Sequence, residues 1–144
     1  MYDFILKAHS GWAYVALIVL VIAVVNALIG LSAKNPFTAK DKRISMFALI
    51  GAHVQFVFGL LLYFVSPNGL AKIKAVGMSG MSSIDRLLAL EHPLVNLIAI
   101  ILITVGWSKH KRAADESKFK SIAIFYSLGL VFLLSRIPWA LWFA

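Results

Sequence analysis

Cysteine is absent from this chain of 144 residues. Without a thiol the protein cannot form disulfides, thiolate metal sites, covalently attached c-type haem or cysteine-ligated iron–sulfur clusters. The four methionines, at positions 1, 46, 78 and 81, are scattered and form no soft-metal path. Any redox centre must therefore use nitrogen or oxygen ligands.

Charged residues are also scarce. They make up 14% of the chain, whereas hydrophobic residues make up 61%, and the mean hydropathy is +0.89. This composition excludes an ordinary soluble domain. A helix that crosses a bilayer needs about 20 predominantly apolar residues. Segments that meet this length are predicted at Phe4 to Ser32, Lys42 to Ser66, Ile84 to Ser108 and Ser121 to Phe143.

The connections between these segments are short, and they predict the fold. Sequential helices joined by short loops pack as antiparallel neighbours. We therefore expect an all-α integral membrane protein, an up-down-up-down four-helix bundle that forms a single domain over residues 1–144. The first segment is too long for a cleavable signal peptide and lacks a basic start, so we expect it to remain as a helix of the mature protein.

Lysine and arginine are concentrated beside two of the connections. Nine lie beside the first and third connections, whereas four lie on the opposite side. Cytoplasmic loops carry the excess of these residues, so both termini are predicted to lie outside the cytoplasm. The net charge of +8 is then mainly a topology signal, with some attraction to anionic lipid headgroups, and we predict no nucleic-acid partner. The nine residues are Lys34, Lys40, Lys42, Arg43, Lys109, Lys111, Arg112, Lys118 and Lys120.

Three histidines lie inside the apolar segments: His9, His53 and His92. Ionisable groups at membrane depth are rare, usually face a bundle interior and are functional candidates by default. Imidazoles from separate helices can hold a metal ion or a haem iron, so all three are predicted metal ligands. His110 differs, because it lies in a basic segment at a helix end and is predicted to be solvated.

Depth along the helices bears on which histidines form a pair. At about 1.5 Å per residue, His9 and His92 lie roughly 9 Å and roughly 10 Å from the outer ends of their helices, and His53 roughly 20 Å from its outer end. Equal depth favours His9 with His92, whereas the adjacency of the second and third helices favours His53 with His92. The sequence leaves both pairings open, and with them either one haem or two.

Four further polar side chains are candidates for cofactor binding: Gln55, Glu91, Asn96 and Arg136. The guanidinium of Arg136 could bind a haem propionate. The alternatives for Arg136 are a salt bridge with Glu91 or snorkelling to the surface. Glu91 could also orient a ligating imidazole. Gln55 and Asn96 lie on faces rich in small residues, and such faces are expected to point into the bundle.

Pro93 follows His92 directly. Its ring removes the hydrogen bond to Ala89 and disfavours helical geometry at His92. A kink there would leave room for a bulky planar ligand; alternatively, the proline only bends a packed helix.

At these residues the chain resembles a family of small bacterial four-helix membrane proteins that are labelled cytochrome b or cytochrome-b-like. The resemblance covers nearly the whole length. It implies haem b, a multi-pass location in the bacterial inner membrane, and candidate-ligand status for His9, His53 and His92 but not for His110. The matching pieces are His9-Ser10-Gly11, Ala52-His53-Val54-Gln55, Ser66-Pro67, Glu91-His92-Pro93, Lys111-Arg112-Ala113 and Ile137-Pro138-Trp139.

Three functions are compatible with these features. In the first, two imidazoles hold a haem b and leave no open coordination position, so the protein relays electrons within a respiratory or quinone-linked membrane assembly. In the second, the protein is a non-redox accessory subunit of a larger membrane complex or a homo-oligomer, and its histidines make internal hydrogen bonds. The third is a transporter or a haem-handling enzyme, although the internal repeat typical of transporters is not found. We predict an electron-transfer or accessory role in the lipid bilayer rather than a stand-alone enzyme.

Overall fold

The structure of the protein, a computed structural model, describes residues 1–144. It is all-helical and contains no strand. Four helical segments are long and apolar enough to cross a membrane by length and composition. The α-helices are α1 (Tyr2–Ala33), α2 (Ala39–Val65), α3 (Leu70–Val76), α4 (Ser83–Arg86), α5 (His92–Arg112), α6 (Lys118–Ser135) and α7 (Trp139–Trp142), and a π-helical turn, Leu87–Glu91, joins α4 to α5.

The last long helix is shorter than the sequence predicts. It ends at Ser135, not near Phe143, and a single helical turn follows from Trp139 to Trp142. Pro138 explains the break, because a proline lacks the backbone N–H that a helix needs and disfavours helical geometry in the preceding residue.

Each long helix packs mainly against two others, in the order α1 to α2, α2 to α5, α5 to α6, and α6 back to α1. Between α1 and α2, Trp12 donates a hydrogen bond to the Gly51 carbonyl and Asn26 donates one to Asp41. The two helices are therefore antiparallel.

Small residues make the close contacts between helices. The buried face of α1 carries Ala16, Ala23, Ala27 and Gly30, as the spacing of small residues predicts. A Cβ atom on Gly30 would collide with the ring of Phe119 on α6. Close approach through glycine and alanine is the usual way in which apolar helices pack when the surrounding medium is itself apolar.

The centre of the bundle also holds a polar crosslink. Tyr126 on α6 is fully buried, and its hydroxyl donates a hydrogen bond to the Ser45 carbonyl on α2 at 2.8 Å. The phenol thus fixes the relative position of two helices that face each other across the bundle.

The outer surface is apolar on every long helix. Ile29, Phe64, Ile101 and Val131 are each more than half exposed, one on each of the four segments. Monomeric soluble proteins rarely expose contiguous apolar patches larger than a few hundred Å². This exterior fits hydrocarbon better than water.

Candidate functional site

His9 on α1 and His92 at the start of α5 lie beside each other. Their ring centres are 6.1 Å apart, and their planes are nearly perpendicular at 89°. Both side chains are partly buried. The structure therefore brings together two of the three histidines that the sequence singles out, and they are the two that the depth estimate places at one level.

A π-helical turn positions His92 beside His9. Its backbone N–H donates to the carbonyl of Leu87, five residues earlier, and Pro93 then begins the regular part of α5. Because Pro93 has no N–H, one carbonyl of the preceding turn loses its normal partner, and widening that turn accommodates the loss. Such π-turns are frequent at functional sites. The disturbance predicted at Pro93 takes the form of this wider turn.

Both ring nitrogens of His92 are hydrogen-bonded. Nδ1 lies 2.8 Å from the carbonyl oxygen of Arg136, and a carbonyl can only accept, so Nδ1 carries the proton. Nε2 is then the acceptor, and the side-chain amide of Asn96 donates to it at 3.0 Å. The backbone after the end of α6 therefore holds the imidazole, while Asn96 covers its other nitrogen.

His9 is held by Gln55 on α2. The Gln55 amide nitrogen donates to the His9 carbonyl at 2.9 Å and lies 3.3 Å from His9 Nδ1. A carbonyl oxygen can only accept, so the Gln55 side-chain atom that faces it must be the amide nitrogen. Because that nitrogen donates, His9 Nδ1 acts as an acceptor. Gly59 makes room for the ring, since a Cβ at that position would lie 3.0 Å from His9 Cε1.

Two amide oxygens beside the pair lack partners. Gln55 Oε1 and Asn96 Oδ1 are buried and accept no hydrogen bond. Leaving a buried polar atom unpaired costs about 1–3 kcal/mol, so such atoms are uncommon in a settled core. Both belong to residues that touch His9 and His92; the third buried and unpaired side-chain atom of the chain is Ser127 Oγ.

Glu91 and Arg136 form an ion pair, which is one of the three roles that the sequence suggests for Arg136. Arg136 Nε lies 3.4 Å from Glu91 Oε2, and both side chains are about half exposed. The Arg136 carbonyl also accepts a hydrogen bond from His92. Arg136 therefore contacts the site through its backbone, while its guanidinium group lies at the edge of the site.

His53 stands apart from the pair. Its Nδ1 lies 2.7 Å from the Leu49 carbonyl, and its Nε2 lies 3.1 Å from the Thr104 hydroxyl on α5. Both nitrogens thus have protein neighbours between α2 and α5. The structure contains no group of three or more His, Asp or Glu side chains that could hold a metal ion.

The prediction for His110 is wrong. The residue is only 1% exposed, its Nδ1 donates to the Trp107 carbonyl at 2.6 Å, and its ring packs against the rings of Trp107 and Phe37. The sequence does place Trp107 three residues before His110, a spacing at which helical side chains meet. Phe37 comes from the distant α1–α2 connection, so this contact has no local signal.

The residues at the pair fit a haem iron by three observations. Imidazole nitrogens bind metal ions at about 2.0–2.1 Å, so two imidazoles on opposite sides of one ion have ring centres about 6 Å apart, close to the 6.1 Å observed. The protein holds each ring at Nδ1, so Nε2 is the candidate ligand atom; at His92 it now accepts from Asn96, and at His9 it carries the ring proton because Nδ1 accepts from Gln55. For His92 the Nδ1 partner is a backbone carbonyl, a common partner of metal-bound histidines.

No protein-family model, curated protein or solved structure matches this chain. Its function is therefore argued from the arrangement of its own residues.

Proposed function

We propose that the chain is an integral membrane protein of the bacterial inner membrane, folded as an up-down-up-down four-helix bundle with both termini outside the cytoplasm. The support is the number of apolar helices, four, their exposed apolar surfaces, and the concentration of lysine and arginine beside the first and third connections. The bilayer would cover the surfaces that are unfavourable in water.

The orientation can be tested directly because the native chain has no cysteine. Single cysteines at Ser79 and Ala114, in the second and third connections, would be labelled in intact cells with a membrane-impermeant maleimide. We expect Ser79→Cys to react in intact cells and Ala114→Cys to react only after lysis. The reverse pattern would show that the orientation is inverted.

Within that bundle we propose that His9 and His92 hold one haem b and that the protein relays electrons in a respiratory or quinone-linked assembly. The observation that carries this proposal is the pair of perpendicular imidazoles 6.1 Å apart, supplied by separate helices. A haem iron with two imidazole ligands exchanges single electrons and has no open position for substrate.

The neighbouring side chains have distinct roles in this proposal. The Arg136 carbonyl keeps the proton of His92 on Nδ1, so His92 would hold the iron through Nε2, the nitrogen to which Asn96 now donates. His9 would present Nε2 after its proton moves to Nδ1, and the unpaired Gln55 Oε1 could accept that proton when the amide turns. Arg136 and Glu91 would set the charge at the edge of the site, where Arg136 could pair with a propionate.

An accessory, non-redox role has one observation in its favour. Both nitrogens of His53 and of His92 already have partners within the protein. A subunit that uses its histidines only to join helices would show such bonds. It would bury part of its apolar exterior against partner subunits or a second copy.

The deciding experiment is a reduced-minus-oxidised visible spectrum, with a pyridine haemochrome assay, on detergent-purified protein expressed with ample haem. We expect near-stoichiometric haem b. His9→Ala and His92→Ala should each abolish or change the spectrum, whereas His53→Ala is the matched control and should leave it intact. Haem-free protein under these conditions would rule out the relay and favour the accessory role. A spectrum lost in His53→Ala but kept in His9→Ala would refute the proposed ligand pair.

A further inference from the structure

A second polar region lies at the other end of the bundle. A cavity of about 320 Å³ opens where the α1–α2 connection, the end of α5 and the start of α6 meet. At about 30 Å³ per water molecule, this volume equals roughly ten waters. It is separate from the histidine pair, because none of its lining residues belongs to that site.

Positive charge surrounds this cavity. Lys42, Lys111 and Lys118 line it, and no carboxylate does. Asp41 precedes Lys42 in the chain, but its carboxylate accepts hydrogen bonds from Asn26 and Thr38 and lines a different cavity. Ammonium groups gathered around one space repel each other, and a bound anion would relieve that repulsion.

The lysine on α6 is held in place at the cavity. Lys118 Nζ donates a hydrogen bond to the His110 carbonyl at 2.8 Å, and this carbonyl at the end of α5 also accepts the Ala113 N–H. This bond uses one of the three protons of the ammonium group. The other two remain available to a ligand.

His110 gives independent support for a ligand. The residue is 99% buried, because only 1% of its surface is exposed, and its ring lines the cavity. Nδ1 is occupied by the Trp107 carbonyl, whereas Nε2 has no hydrogen-bond partner in the protein. Because Nδ1 carries the proton of the neutral ring, Nε2 is an acceptor open to the cavity: it can accept from the P–OH of a phosphate, or donate to a phosphate oxygen when the ring is an imidazolium.

The backbone adds a donor to the same cavity. Thr38 and Ala39 line it. The Thr38 N–H already donates to the Asp41 carboxylate, so the donor at the cavity is the N–H of Ala39, the first residue of α2, a helix of 27 residues. The first N–H groups of a helix have no intrahelical acceptor and carry partial positive charge. Helix N-termini with nearby lysines are common binding sites for phosphate groups.

We propose that this cavity binds a phosphate group, either from the headgroup of an anionic phospholipid or from a soluble phosphate compound. Lys42, Lys111 and Lys118 supply charge, His110 Nε2 accepts from a P–OH group or donates to a phosphate oxygen as an imidazolium, and the Ala39 N–H at the start of α2 supplies a backbone donor. The site does not depend on haem. It lies at the end of the bundle that is richest in lysine and arginine, where the proposed orientation puts the anionic cytoplasmic leaflet.

The test compares lining lysines with matched lysines that do not line the cavity. Lys42→Gln and Lys118→Gln remove charge from the site, whereas Lys34→Gln and Lys120→Gln remove the same charge elsewhere at that end. Inorganic phosphate is titrated by calorimetry into the full chain in a neutral detergent. Retention of phosphatidylglycerol over phosphatidylcholine is measured by native mass spectrometry. Far-ultraviolet circular dichroism verifies that each variant is folded.

We expect each lining variant to weaken binding of the phosphate probe about tenfold, the effect of losing one charge-assisted hydrogen bond, and each control to change it less than about twofold. Binding of inorganic phosphate that displaces the lipid would identify a soluble ligand, whereas retention of phosphatidylglycerol without phosphate binding would identify a lipid headgroup. The proposal is overturned if neither probe binds. It is also overturned if lining and control variants weaken binding equally, because the attraction would then be diffuse surface charge.

Discussion

Gly59 determines how closely α2 approaches His9, and the substitution Gly59→Ala tests this packing. The added Cβ would lie 3.0 Å from His9 Cε1 and 3.4 Å from His9 Nδ1, so the imidazole must move by a few tenths of an ångström. Replacing glycine with alanine inside a helix stabilises it by about 1 kcal/mol, whereas inserting a methyl group into a filled space costs about 1–3 kcal/mol. The expected net effect runs from about zero to about 2 kcal/mol of destabilisation.

Gly11→Ala is the matched control. Gly11 lies in α1, two residues after His9, and a Cβ there would meet nothing within 4 Å. In this variant alanine should stabilise the helix and the added methyl group should meet no other atom. The variant should therefore be more stable than the native chain by up to about 1 kcal/mol. The two variants are therefore expected to differ by about 1–3 kcal/mol although their chemical change is identical.

The assay is equilibrium unfolding in mixed detergent micelles, followed by circular dichroism, together with the ¹⁵N chemical shifts of the histidine rings. Gly59→Ala should shift the ring signals of His9 and leave those of His53 unchanged, because His53 is held by Leu49 and Thr104. If Gly59→Ala stabilises the protein as much as Gly11→Ala and moves no His9 signal, the contact between Gly59 and His9 does not exist.

Three further predictions concern stability and the edge of the site. Tyr126→Phe should destabilise the bundle by about 0.5–1.5 kcal/mol, because one hydrogen bond is lost while the Ser45 carbonyl keeps its partner within α2; a variant as stable as the native chain would show that the bond contributes nothing. Gly129→Ala should cost about 1–3 kcal/mol in the same assay, because its Cβ would overlap Ile103 in a closely packed interface, and a stabilised variant would contradict this packing. Glu91→Gln should change the stability by no more than about 1 kcal/mol, since its pair with Arg136 is half exposed and such pairs contribute little; a larger loss would show that the pair is structural.

The apolar runs predict the helices well because length and hydrophobicity depend only on local sequence. The first predicted segment, Phe4 to Ser32, lies within α1, Tyr2–Ala33. The early end of α6 at Ser135 also had a local signal, since Pro138 follows three residues later. Local chemistry therefore accounts for most of the helix boundaries.

Contacts between helices were harder to predict. Counting residues along helices placed His9 and His92 at one depth, and their rings lie 6.1 Å apart. The sequence could not show that Gln55, and not His53, faces His9. The two residues are two positions apart on α2, so they point about 200° apart, and the rotation of α2 about its axis decides which one meets α1. Many weak contacts along the whole helix fix that rotation.

The unpaired polar atoms beside the histidine pair bear on the choice between the proposed relay and a purely structural role. A core that uses histidines and amides only to join helices should pair nearly all of their polar atoms. His53 comes closer to this expectation, because its Nδ1 donates to the Leu49 carbonyl, although the Thr104 hydroxyl beside its Nε2 donates its own proton to the Ile100 carbonyl. The His9 and His92 pair does not, because the amides that touch the two rings leave Gln55 Oε1 and Asn96 Oδ1 buried and unpaired. Two such atoms beside one pair of imidazoles are unfavourable, and the proposed ligation would pair one of them, because a Gln55 amide that turns could accept the proton of His9 Nδ1 at Oε1.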